Sequence, residues 1–231
     1  YSSFSISEEI SFLSSEVVNF FSLSTSASNS IFENNSSDAI INTGNIDLVD
    51  NTDFIGNNLS NSGKIGRITN AEFNNSQIAN NGNIDEISKT TFENNSVESI
   101  FNNAGKTINL VLGSTFKNNT SSAIKTPGTI NEIADSIFTD NISNSDGAAV
   151  YIDSTGAVNK ISDSLFINNI SKTGKGGAVY NQGGELEIAD TDFINNKSLE
   201  TIIIYLDVVV CVLSGNFLQI SRGLGKILDF S

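Results

Sequence analysis

Apolar and polar positions recur along this chain in a fixed order that does not follow a helical period. The tetrad Phe-x-x-Asn appears as Phe32 with Asn35, Phe54 with Asn57, Phe92 with Asn95, Phe116 with Asn119, Phe138 with Asn141, Phe166 with Asn169, and Phe193 with Asn196. Phe73 is an eighth anchor whose copy departs from the tetrad, with Ser76 three places on. Successive anchors lie 22, 19, 19, 24, 22, 28 and 27 residues apart. Five positions before Phe stand Val49, Ile68, Ile87, Val111, Ile133, Ile161 and Ile188, and eight before it Ile46, Ile65, Ile84, Ile108, Ile130 and Val158. Two before it the residue is small, as in Thr52, Ala71, Thr90, Ser114, Ser136, Ser164 and Thr191. Ten before it comes Gly44, Gly63, Gly82, Gly128, Gly156 or Gly183, with Gly105 one place off.

β-Branched residues, frequent Gly and Asn, and Phe two after a small residue favour short extended runs separated by bends. A unit this short cannot bury its apolar side alone, whereas stacked copies share a continuous interior. The spacing therefore predicts an all-β chain, a parallel β-helix of about eight rungs spaced roughly 4.8 Å apart. Strands need equal length to keep register, so length changes belong in one outer loop between Asn and the next Gly. Gly and Asn at the bends are expected in the left-handed conformation. The Phe column is expected to be core, so Phe138→Ala opens a cavity, while Asp163→Ala at a solvated corner is expected to be nearly neutral.

The ends differ. In residues 1–31, Ile10, Leu13, Val17, Phe20 and Phe21 follow Ser5 and Glu8 at helix-like spacing, predicting either a short amphipathic cap or a degenerate rung. Residues 32–198 are the repeat. In 199–231 an apolar run from Ile202 to Leu213 is broken by Asp207. That run is too short for a span of about 20 apolar residues, and reads as a buried terminal rung or cap, or as sequence foreign to the repeat. The chain is not expected to cross a membrane itself. With no Met at position 1 and no basic-then-apolar start, it reads as a fragment or mature piece.

Composition narrows the function. Twelve basic against 26 acidic residues leave a net charge of −14, which repels nucleic acid and anionic membranes. There is no His, and the single Cys is Cys211. That removes His-based acid/base catalysis, Cys/His zinc sites and any intrachain disulfide. A hydrophobic content of 38% with 15 Phe and one Pro is too apolar for a disordered tail.

The Phe-x-x-Asn tetrads, with Gly176-Gly177-Ala178-Val179 and the near-match Gly147-Ala148-Ala149-Val150, resemble the chlamydial polymorphic outer membrane proteins and related autotransporter passengers. Their two repeated motifs are FxxN and GGA[ILV], and the resemblance covers roughly residues 32–198. It implies a right-handed β-helix, secreted, displayed at the bacterial outer membrane by a C-terminal β-barrel, and used for adhesion. Two departures matter. One rung alone has the full GGA[ILV], others having Asp38-Ala39-Ile40 or Ser122-Ala123-Ile124, and the 35 residues after Asn196 are too few for a barrel.

Three before Phe the column reads Asn51, Asn70, Lys89, Gly113, Asp135, Asp163, Asp190. Three stacked carboxylates either invite a hard cation such as Ca²⁺ or serve their own backbone as turn formers. Triplets such as Asn118-Asn119-Thr120 and Asn169-Ile170-Ser171 match the glycosylation pattern but arise from the repeat itself. Gly174-Lys175-Gly176-Gly177 lacks phosphate-loop spacing. The expectation is a non-catalytic, cofactor-free surface or secreted segment that binds a host-cell or extracellular protein or glycan. The alternatives are a carbohydrate-active β-helix enzyme and a purely structural spacer.

Overall fold

The computed structural model describes residues 5–6, 18–20, 26–199 and 209–212, with side chains placed for 26–199. The helical spacing seen near residues 10–17, and most of the 202–213 run, lie outside these. Every regular element among the described residues is a strand, and the strands pair in parallel into a β-solenoid. Each turn has three faces. An Ile/Val face contains Lys64–Thr69, Asn83–Ser88, Thr107–Leu112, Thr129–Ala134 and Ala157–Ser162, and a Phe face contains Glu72–Asn74, Thr91–Glu93, Thr115–Lys117, Ile137–Thr139, Leu165–Ile167 and Asp192–Ile194. A third face contains Ile40–Asn42, Leu59–Asn61, Ile78–Asn80, Ile100–Asn102, Ile124–Thr126, Val150–Ile152 and Val179–Asn181.

Register follows the sequence columns. Ile46, Ile65, Ile84, Ile108, Ile130 and Val158 pair in succession, as do Val49, Ile68, Ile87, Val111, Ile133, Ile161 and Ile188. The eight anchor phenylalanines pair rung to rung and their rings stack, with centroids 4.4 to 5.2 Å apart. From Phe92 to Phe166 the planes lie within 3° of parallel. Rings this close and parallel are imposed by the strand spacing. Phe54, Phe73, Phe92, Phe116, Phe138 and Phe166 are fully buried, whereas Phe193 is 42% exposed. The expected eight rungs therefore resolve into about six closed turns, because the outermost anchors each have a ring neighbour on one side only.

Two sequence expectations change. The stretch read as one variable outer loop contains the third face, whose inward column runs Ile40, Leu59, Ile78, Ile100, Ile124, Val150 and Val179. Most length change falls in the bend before it. Leu59 follows Asn57 by two positions and Val179 follows Asn169 by ten. Secondly, among the glycines ten before Phe none has positive φ, and only the offset Gly105 does, at 70°. They are glycine because backbones touch there. A Cβ at Gly63 would meet Gly44 O at 2.0 Å, and one at Gly183 would meet Gly156 O at 2.0 Å.

Phe138→Ala is expected to cost about 3–5 kcal/mol, read as a fall in urea midpoint. Phe193→Ala at the open end is expected to cost no more than about half of that, since part of its ring is already in water.

Candidate binding surface

The motif residues hold one bend together. Asn141 Nδ2 donates to Phe116 O at 3.0 Å in the rung before, and Asn141 Oδ1 accepts from Asn119 N at 3.2 Å. Asn169 repeats this with Phe138 O at 2.9 Å and Asn141 N at 3.2 Å, and Asn196 with Phe166 O at 2.9 Å and Asn169 N at 3.0 Å. Asn95 and Asn119 make the same pair of bonds. Each carboxamide thus satisfies two peptide groups that the bend removes from strand pairing. Asn57 instead donates to Asn35 O and Ser37 O, both at 3.0 Å. The Ser76 copy keeps the function with a hydroxyl, which donates to Phe54 O at 2.9 Å and accepts from Asn57 N at 3.0 Å. At the first rung, Asn35 Oδ1 is buried with no partner among the described residues.

The residue before that Asn makes the turn. Asn34, Gly56, Asn75, Asn94, Asn118, Asp140, Asn168 and Asn195 all have φ between 50° and 68°. The column three before Phe is the second left-handed corner, from Asn29 through Asp190, with φ of 46° to 55°. The stacked Asp135, Asp163 and Asp190 are therefore exposed turn formers. Among the described residues no group of three or more acidic, His or Cys side chains is placed to hold a metal ion. The small column two before Phe is a further ladder. Ser136 Oγ donates to Ala134 O at 2.8 Å and accepts from Ser114 N at 3.2 Å.

Gly176-Gly177-Ala178-Val179 opens a strand of the third face. Gly176 is left-handed at φ 67°, a Cβ on Gly177 would meet Lys197 O at 2.3 Å, Ala178 is buried, and Val179 joins the inward column. Gly147 takes the same left-handed place at φ 59° in the preceding rung. Apart from Phe193 at the open end, the motif side chains are buried or half-buried.

The longest bends, before Val150 and Val179, contain Ile142–Ser143 and Ile170–Ser171, which form a small extra sheet with Lys197–Ser198 after Asn196. Asp146 in one bend accepts from Lys175 N in the next at 2.6 Å. Beside them, Tyr151 and Tyr180 pair in register with ring centroids 5.7 Å apart. Lys125 Nζ sits 5.2 Å over the Tyr151 ring, and Gln182 bridges the two hydroxyls at 3.1 and 3.0 Å. Burial pushes the Tyr151 hydroxyl above its ordinary value, and the carboxylates of Asp153 and Asp146 push it further. The sequence reading missed this cluster. Its signal was that Tyr follows the last motif residue in both rungs, Val150-Tyr151 and Val179-Tyr180. A second asparagine ladder was missed too: Asn42, Asn61, Asn80 and Asn102 bond side chain to side chain at 2.7 to 2.8 Å.

The family model of the Chlamydia polymorphic membrane protein repeat matches residues 163–182, the segment that holds Phe166, Asn169 and Gly176 to Val179. No curated protein and no solved structure matches the chain. The match lies within one turn of the solenoid, in which Phe166 and Val179 stand on strands and Asn169 and Gly176 at the bends.

Asn141→Leu, which keeps size and removes both bonds, is expected to cost about 2–4 kcal/mol. Asn141→Ser should recover much of that, as Ser76 does. At the corner, Asp163→Ala is expected to cost about 1 kcal/mol, against the neutrality read from exposure, while Asp163→Asn and Asp163→Gly should be tolerated. Thermal unfolding of the five variants checks both. Because the folded chain holds the Tyr151 proton more tightly than the unfolded chain, stability should fall as pH rises through about 10. Asp153→Asn should bring the ionisation of Tyr151, followed by ultraviolet absorbance, back toward the ordinary value.

Proposed function

We propose that this chain is a non-catalytic segment of a bacterial surface passenger, whose rod presents bends and outer strand faces to host-cell or extracellular proteins or glycans. The supporting observation is the division of labour within each turn. Both motifs of the polymorphic membrane protein repeat are spent on the interior and the bends, while side chains on the outer faces differ from rung to rung. A rigid file of rungs with interchangeable outer residues suits many weak contacts made together. An outer-membrane or surface location fits the same repeat family.

Binding of the purified, fluorescently labelled chain to a panel of host cells and matrix coatings tests this. Saturable binding is expected, with no cleavage of polyuronates or glycans. Cleavage abolished by Asp163→Asn would replace the proposal with a carbohydrate-active enzyme. Absence of binding across the panel would leave a spacer.

A further inference from the structure

The outer side of the Phe face changes character along the rod. In the first rungs its solvent-facing positions are mostly polar, with Glu33, Asp53, Glu72, Asn74 and Glu93, the last paired with Lys117 at 2.5 Å. The exposed Ile31 and Ile55 lie there in different files, each paired in register with polar neighbours. In the last three rungs four of the six outward positions in these two files are apolar, the other two being Thr139 and the exposed Asp192. Ile137 pairs in register with Leu165, and Ile167 with Ile194. Ile137 is 40% and Ile194 45% exposed, and Leu165 and Ile167 are half-buried. Alternate residues on one side of a strand lie about 7 Å apart and neighbouring strands about 4.8 Å, so the four side chains form one contiguous patch. Nothing described in the interior requires them, since Phe138, Phe166 and Phe193 already fill the inward positions of those strands.

One edge of the patch is charged. The left-handed corner beside these strands carries the exposed Asp135, Asp163 and Asp190 on consecutive rungs. Like charges stacked this closely repel. The opposite corner of the first of these rungs holds Asp140, which accepts from Asn168 Nδ2 at 3.1 Å. An apolar strip with a carboxylate border complements a segment that alternates apolar and basic residues. A second copy would bring the same acidic border against itself, and an anionic lipid surface would repel it.

We propose that the outer Phe face of the last three rungs is a docking surface for a cationic amphipathic segment of a partner protein. Its apolar side chains cover Ile137, Leu165, Ile167 and Ile194, and its Lys or Arg residues meet the Asp135, Asp163 and Asp190 file. The patch is far smaller than the roughly 800 Å² per partner of a stable complex, so the contact is weak and salt-sensitive. It rests on the reading of the rod as a binding element and names the chemistry of one partner.

The probe is a labelled eight-residue peptide alternating Lys and Leu, followed by fluorescence anisotropy with the full chain at low and high salt. Binding is expected to weaken at least about fivefold in an Ile137→Thr, Ile167→Thr, Ile194→Thr variant, which loses apolar area but keeps β-branching. An Asp135→Asn, Asp163→Asn, Asp190→Asn variant keeps residues suited to left-handed corners, and its salt dependence should flatten. An all-Lys peptide should bind more weakly and ignore the Ile substitutions. Equal binding by both variants, or by a Glu–Leu peptide, would overturn the proposal. So would a sedimenting dimer dispersed by the Ile substitutions, which makes the occupant a second copy. Carbodiimide coupling of Asp163 or Asp190 to Lys226 within one chain would likewise assign the patch to the chain's own C-terminal segment. Cell binding without peptide binding refutes the docking surface alone, and peptide binding without cell binding refutes the adhesive reading alone.

Discussion

A side-chain amide that gives one hydrogen bond and takes another is what lets this backbone turn sharply between the Phe face and the third face. At that bend, peptide groups leave the strand ladder while remaining buried, and an unpaired buried peptide group costs about as much as a lost hydrogen bond. Asn95, Asn119, Asn141, Asn169 and Asn196 each supply the missing donor and acceptor to the rung before. Phe fixes the depth of the rung and Asn fixes its height. The two are three apart because a left-handed residue must stand between strand and carboxamide.

Much of this was legible in the sequence. The Ile, Val and Phe columns gave the register directly, since residues aligned by eye are those that pair. The third inward column was hidden because its distance from Phe varies, from five positions at Leu59 to thirteen at Val179. Gly was assigned to the bends for its φ, yet the column ten before Phe is glycine because Cβ atoms would collide with carbonyls of the adjacent rung. Packing between distant residues creates that constraint, and composition alone does not distinguish it from a turn. The paired tyrosines were visible as a position, but their meeting depends on register along the third face.

The same separation explains why Ser76 is tolerated where Asn is the rule. What the rung requires is a donor and an acceptor at one point, and a hydroxyl provides both. Lys89 at a left-handed corner, φ 49°, shows that the corners also accept exceptions when neighbouring rungs hold the backbone in place. Each rung touches only its neighbours, so such departures stay local and the outer faces are free to differ.

Among the described residues the buried polar side chains are all Ser, Thr or Asn. No carboxylate or ammonium is among them, so the fully buried ladders between rungs involve no group that gains or loses a proton between strongly acidic and mildly alkaline solution. Asp146 and the Glu93–Lys117 pair link rungs outside that interior. Acidification neutralises the outer carboxylates and carries the net charge from −14 to positive, since the 12 basic residues stay charged, while leaving the buried Ser, Thr and Asn bonds as they are. The rod is a frame of constant shape whose surface potential the surrounding medium sets.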